Sequence, residues 1–330
     1  MLYMYDIAFI FLGFTGFILA FYIYTKKRTK QPLICPLRSN CETVITSKYS
    51  KILGIPVEIL GMSYYLLVAL FHGAVVLFPG IMTPTVFFLS LLISSFAVAF
   101  SFYLVLIQAF AIKQWCTWCL FSAFLCVLIV TATIVSAPYS ISVLLVLYKP
   151  IIVIIHALAA GVGVGVTTVA DIFFFKFLKD YKISEDEADT LNTLSQVLWV
   201  ALGVLIFTGI GLYFGNQEAL NHSSKFLLKV FVVGIITLNG IILNLIIAPK
   251  LVAICFGEKH VHHEGELHHI RKLAFACGAI SLVSWYSAFI LGSIKKIALP
   301  AGTLILLYLG VLVCAIIGSQ IFDYFFAHKK

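Results

Sequence analysis

Nine long apolar runs, at about 5–24, 57–79, 83–111, 117–137, 150–175, 194–214, 227–248, 273–292 and 298–326, dominate the chain. Each is close to the roughly 20 residues a helix needs to cross a hydrocarbon core of about 30 Å. Within lipid every backbone amide must be satisfied by protein, which leaves helices or closed barrels, and barrel strands alternate instead of running continuously apolar. The sequence therefore predicts an all-α integral membrane protein of about nine spans. A composition of 62% hydrophobic and 11% charged residues excludes a soluble globular domain. The excess of 22 Lys and Arg over 14 Asp and Glu then reports topology and lipid contact, not a nucleic-acid partner. The first run is read as a retained span, because Tyr22, Tyr24 and the basic Lys26, Lys27 and Arg28 follow it in place of a small-residue cleavage site.

Residues 1–138 hold four spans, with one polar connection of about 30 residues, "KKRTKQPLICPLRSNCETVITSKYSKILGIP". A structureless connection that long in a compact domain is usually functional. Pro138 and Pro150 bracket a junction, and residues 139–330 supply five further spans. One of these carries Gly161, Gly163 and Gly165, which are expected to admit a neighbouring helix. With nine spans, the 25–56 loop, the 112–116 turn, the 176–193 and 249–272 loops and the C-terminus share one side. Both cysteine pairs lie on that side.

The pairs are Cys35 with Cys41 and Cys116 with Cys119; Cys126, Cys255, Cys277 and Cys314 stand alone in apolar surroundings and read as small buried hydrophobes. Cys116 and Cys119 share a helix face within disulfide reach. A helix starting near Cys116 aims its free N–H groups at that sulfur and favours thiolate, with Lys113 expected to add to the effect. A low-pKa thiolate both attacks and leaves in thiol–disulfide exchange. Cys35 and Cys41 flank Pro36 and "RSN", so a disulfide there would close a small loop expected to swing. A mobile pair beside a fixed pair suits an electron relay, and repeated reoxidation needs a two-electron acceptor, which in lipid means a quinone such as ubiquinone or menaquinone. Phe102, Tyr103, Phe110, Trp115, Trp118 and Phe121 provide apolar, aromatic walls near Cys119. The same four cysteines also have metal-ligand spacing, so a structural zinc site is the alternative.

The run "CPLRSNCETVITSKYSKILGIPVEILGMSYY" followed by "FYLVLIQAFAIKQWCTWCL" resembles the vitamin K epoxide reductase family in its bacterial and archaeal branch. The shared features are the paired loop cysteines, a Ser six residues after the second, "GIP" before the second span and CxxC at the start of the fourth. The resemblance implies a four-helix bundle around a quinone that oxidises a thioredoxin-like partner. Carried onto this chain, it implies that Cys41 exchanges with the partner, Cys35 passes electrons to Cys116, Cys119 faces the quinone and Ser47 lines its pocket. Residues after 138 contain no further CxxC, so the partner is expected to be a separate protein.

Two signals conflict over orientation. Most members of the family it resembles place their cysteines outside the cytoplasm, where disulfides persist. Yet 17 of the 22 basic residues fall on the cysteine side, which the positive-inside rule assigns to the cytoplasm.

In the second half, "GEKHVHHEGELHHIRK" gathers His260, His262, His263, His268 and His269 beside Glu258, Glu264 and Glu266, a candidate Zn or Cu site or else a solvated loop. His156 and Asp171 lie within an apolar run, where an ionisable residue suggests a ligand or proton relay, or a hydrogen-bonded structural group. Lys229 is read as snorkelling. Ser184 and Glu187 in "SEDEAD" match a helix capping box. A metal-handling transporter using the Cys and His clusters, and a non-enzymatic anchor built on the five-span half, are the competing readings.

Overall fold

The computed structural model describes residues 2–36, 40–177, 184–248, 250, 266–295 and 297–327. Among the described residues nine helices are long and apolar enough to cross a membrane, so the chain is a multi-pass helical membrane protein. It divides into two compact units, 1–144 and 145–330.

The first unit contains α1 (Leu2–Arg28), the short α2 (Cys41–Thr46), α3 (Val57–Leu77), α4 (Pro84–Leu106) and α5 (Thr117–Val135). A two-residue hairpin, Lys51–Ile52 against Ile55–Pro56, leads into α3. Its turn places Leu53 and Gly54 at φ +49° and +81°, the pair of positive φ values that tight hairpins require. Helices α1 and α3 pack closely because Gly13 and Gly16 present no side chain: a Cβ on Gly16 would collide with the ring of Tyr65, and one on Gly13 would lie 2.9 Å from the Tyr65 carbonyl oxygen. Tyr65, 1% exposed, then reaches across to α5, where its hydroxyl donates to the Ser122 carbonyl at 2.8 Å and lies 3.3 Å from Cys126 Sγ.

Helix α4 does not run cleanly to its loop. It passes into a π-helical turn, Ile107–Ile112, and ends at Lys113 in the left-handed region at φ +57°. Such single π turns cluster at functional sites, and this one sits directly before the second cysteine pair. The helix after it starts where the sequence places it, with Cys116 as N-cap.

The second unit begins within α6 (Ile141–Leu147) and contains α7 (Lys149–Phe177), α8 (Glu185–Phe214), α9 (Gln217–Asn221), α10 (Ser224–Ile242), α11 (Glu266–Ser293) and α12 (Ala301–Ala327). The capping box at α8 is present: the Ser184 N–H donates to the Glu187 carboxylate at 2.8 Å and the Glu187 N–H to Ser184 Oγ at 3.3 Å. Of the three glycines expected to admit a helix, only Gly163 does so, holding the indole of Trp285, while Gly161 and Gly165 have no neighbour within 4 Å. A helix contacts a given neighbour through one narrow face, and Gly161 and Gly165 are both two positions from Gly163 and point elsewhere.

Buried polar groups in this unit are largely paired, as an apolar surrounding demands. Arg271 Nε donates to Asp323 Oδ1 at 2.6 Å, Asn239 Nδ2 to the Cys277 carbonyl at 2.9 Å, and Ser284 Oγ lies 2.7 Å from the Tyr308 hydroxyl. His156 Nδ1 lies 2.8 Å from Thr208 Oγ1, the hydrogen-bonded alternative of the two sequence readings. Asp171 faces Gly278, where an added Cβ would sit 3.2 Å from its Oδ1.

The lone cysteines divide. Cys126 and Cys277 are 4% and 7% exposed, whereas Cys314 is exposed on α12, which corrects its reading as buried. An outward position on a membrane-spanning helix is as apolar as a core position, so the hydrophobic character is retained without burial. Cys255 lies outside the described residues.

Candidate active site: two cysteine pairs at one end of the bundle

The first pair is a disulfide, with Cys35 and Cys41 Cα atoms 6.1 Å apart. Cys41 opens α2 and is 1% exposed, whereas Cys35 is partly exposed. The chain around Cys35 is tethered on both sides of the cysteine, and residues 37–39 of the loop expected to swing lie outside the described residues: Trp118 Nε1 donates to the Ile34 carbonyl at 3.0 Å and Thr117 Oγ1 to the Pro36 carbonyl at 3.1 Å. These two bonds bracket Cys35 and dock its strand onto the start of α5. Tyr22 of α1 supports Trp118 from the side, ring edge to face at 5.8 Å.

The second pair is reduced, with Cys116 0% exposed. The Cys116 N–H, left without a helical partner at the N-cap, donates to Gln108 Oε1 at 2.9 Å, and the Cys119 N–H donates to Cys116 Sγ at 3.4 Å. Gln108 is 3% exposed and stands on the π turn, so the irregularity in α4 delivers the amide that fixes the cysteine. The Cys119 thiol beside Cys116 holds the Cys116 thiol below its ordinary range; burial opposes this, and the Cys119 and Trp118 N–H groups reinforce it. Lys113, expected to contribute, is not among the causes.

Cys41 and Cys116 belong to one buried cluster, and Cys35, Cys119, Trp118 and Tyr22 pack against it. The four sulfurs therefore converge on one end of one bundle. Joined as a disulfide, Cys35 and Cys41 are not thiolate ligands in this state.

The expected aromatic walls are only partly inward. Trp118 and Tyr103 are partly buried, Tyr103 stacking on Phe100 at 6.4 Å, whereas Phe110 and Trp115 are 66% and 48% exposed and face outward, as do Phe102 and Phe121. Ser47, expected in the pocket, uses its hydroxyl to donate to the Val44 carbonyl at 2.8 Å and so caps α2.

Sequence reasoning missed Glu58 and Lys27. Lys27 Nζ lies 2.9 Å from Glu58 Oε1 with the glutamate side chain 7% exposed, and the charges of both reach Cys119. Nζ is buried and makes no well-directed hydrogen bond, so the contact is an ion pair that leaves its N–H donors open. A lone acidic residue in the first turn of a span, "VEILG", was the signal available.

His260, His262 and His263 lie outside the described residues, as do the side chains of His268 and His269 at the start of α11. Among the described residues no group of three or more His, Cys, Asp or Glu side chains is placed to hold a metal.

A membrane-embedded helical bundle that gathers a disulfide and a reduced dithiol at one end defines a class, the membrane oxidoreductases that work through cysteine redox chemistry. Residues 7–134 match the vitamin K epoxide reductase family. No curated protein and no solved structure matches the chain.

Proposed function

We propose that the first unit, 1–138 by its sequence boundaries, is a thiol:quinone oxidoreductase that forms a disulfide in a separate thioredoxin-like protein. The balance is simple. A partner dithiol loses two electrons and two protons and becomes a disulfide, and a quinone, ubiquinone or menaquinone, becomes the quinol. The single observation that carries this reading is the convergence of Cys35, Cys41, Cys116 and Cys119 at one end of the bundle, one pair oxidised and the other reduced.

Burial supports roles different from those the resemblance implies for the first pair. A partner protein reaches a partly exposed sulfur and not one that is 1% exposed, so Cys35 takes the mixed disulfide and Cys41, in the cluster with Cys116, passes electrons inward. Cys116, the favoured thiolate, exchanges with Cys41. Cys119 is then the sulfur next to the quinone. The residues beside Cys119 fit such a group: the open N–H donors of Lys27 suit a quinone oxygen, and Glu58 can hold a proton released from sulfur. Bound there, a quinone supplies a two-electron sink. Outward-facing Phe110 and Trp115 give the ring an apolar route from lipid. The bias of basic residues supports a cytoplasmic position for this end.

The test is turnover by the full chain in lipid nanodiscs, with a reduced thioredoxin-like protein as donor and a short-chain ubiquinone or menaquinone as acceptor. Stoichiometric loss of quinone and of donor thiols is expected. Thiol loss without quinol formation would refute the reading.

A further inference from the structure

The first unit has a second polar constellation, at the end opposite the cysteines. Asp6 begins α1 and His72 lies near the end of α3, and the Asp6 carboxylate meets His72 Nδ1 at 2.8 Å. His72 is 5% exposed; Phe9 stacks on its ring at 4.0 Å and Phe71 meets it edge-on. The pair lines a cavity of about 290 Å³ walled by Phe9, Val75 and Phe87, with Ser90 and Thr133 adding hydroxyls and the exposed Pro79 and Pro138 at its rim. Cys119 and Thr133 are fourteen residues apart on α5, which at helical rise separates this cavity from the thiols by about 21 Å.

The hydrogen bond orients the ring. With the Asp6 carboxylate accepting from Nδ1–H, the neutral form of the ring presents a lone pair at Nε2. Among the described residues nothing pairs with Nε2. A ligand there has to donate a hydrogen bond, and Asp6 would stabilise the imidazolium if the proton moved across. The walls are aromatic and aliphatic, and the volume suits one or two fused rings.

We propose that the Asp6–His72 cavity is a binding site for a hydroxylated aromatic ring, of the phenol or hydroquinone class, with the ligand hydroxyl donating to His72 Nε2. The site is independent of the thiol relay. A quinone, which has carbonyls and no hydroxyl, is a poor ligand for a lone pair, so the site selects the reduced ring.

The probes are 1-naphthol and 1-methoxynaphthalene, which differ in that only the first can donate. They are titrated calorimetrically into the full chain in nanodiscs against empty nanodiscs. Saturable binding of 1-naphthol at one site is expected, about tenfold tighter than the ether, the worth of one hydrogen bond. His72→Phe keeps the ring stack and removes the acceptor; it should weaken 1-naphthol about tenfold, leave the ether unchanged and retain quinone turnover. Equal affinity for the two probes in the unsubstituted protein would overturn the proposal even if the variant failed to fold. So would full 1-naphthol affinity in His72→Phe, or no saturable binding above empty nanodiscs. None of these results bears on the thiol relay, whose own assay uses neither probe.

Discussion

Replacing Cys119 with Ser is expected to reduce quinone turnover by about three orders of magnitude or more, because in a covalent relay the loss of one sulfur removes a step instead of slowing it. Cys116→Ser should cost as much, and the double substitution no more than either single one, since groups that act as a unit are not additive. The helices should persist. Cys116 contributes a cap contact through sulfur that an oxygen can replace, and the Gln108 bond is to its backbone N–H, which serine retains. Near-normal helical dichroism with lost turnover is the predicted pair of readings. Undiminished turnover in either variant would contradict the assignment.

The second large effect concerns which sulfur meets the partner. With a thioredoxin-like protein that keeps only its attacking cysteine, activated as a mixed disulfide with a small aromatic thiol, Cys41→Ser leaves the Cys35 thiolate able to displace the small thiolate and removes the thiol that would resolve the product, so an adduct between the two proteins should accumulate, stable without reductant and visible as a shifted band. Cys35→Ser should give no such band, because Cys41 is 1% exposed and is not accessible to another protein. The opposite pattern, an adduct on Cys35→Ser alone, would restore the roles that the family resemblance implies. The two hydrogen bonds from Thr117 and Trp118 should matter here too, since they hold the Cys35 strand against α5.

Much of this was legible in the sequence. Span number follows from run length against bilayer thickness, and the sharing of one side by both cysteine pairs follows from counting spans. The start of α5 at Cys116 and the capping box at Ser184 are local signals, readable over a few residues. What could not be read depends on contacts between distant positions. The π turn at Ile107–Ile112 is as apolar as the helix before it, so no change of period announces it, and the role of Gln108 follows only once that turn has brought the amide back to Cys116. The difference in burial between Cys35 and Cys41 is set by packing under α1 and α5, not by spacing. Lys27 reads as one of a basic cluster flanking a span, yet it pairs with Glu58 across the loop. Asp6 and His72, sixty-six positions apart, meet only because α1 and α3 lie against each other through Gly13 and Gly16.

The central claim is that four sulfurs form one path to a quinone, and its most direct test is a stepwise oxidation. The fully reduced chain, anaerobic in nanodiscs, receives one equivalent of short-chain quinone, is quenched with an alkylating agent, and its disulfides are mapped; a second equivalent follows in a parallel sample. One quinol per disulfide is predicted, with Cys116–Cys119 oxidised by the first equivalent or its exchange product at Cys35–Cys41, and both pairs oxidised after the second. Quinol formed while Cys116 and Cys119 remain thiols throughout, or quinone left unconsumed by the reduced protein, would contradict it.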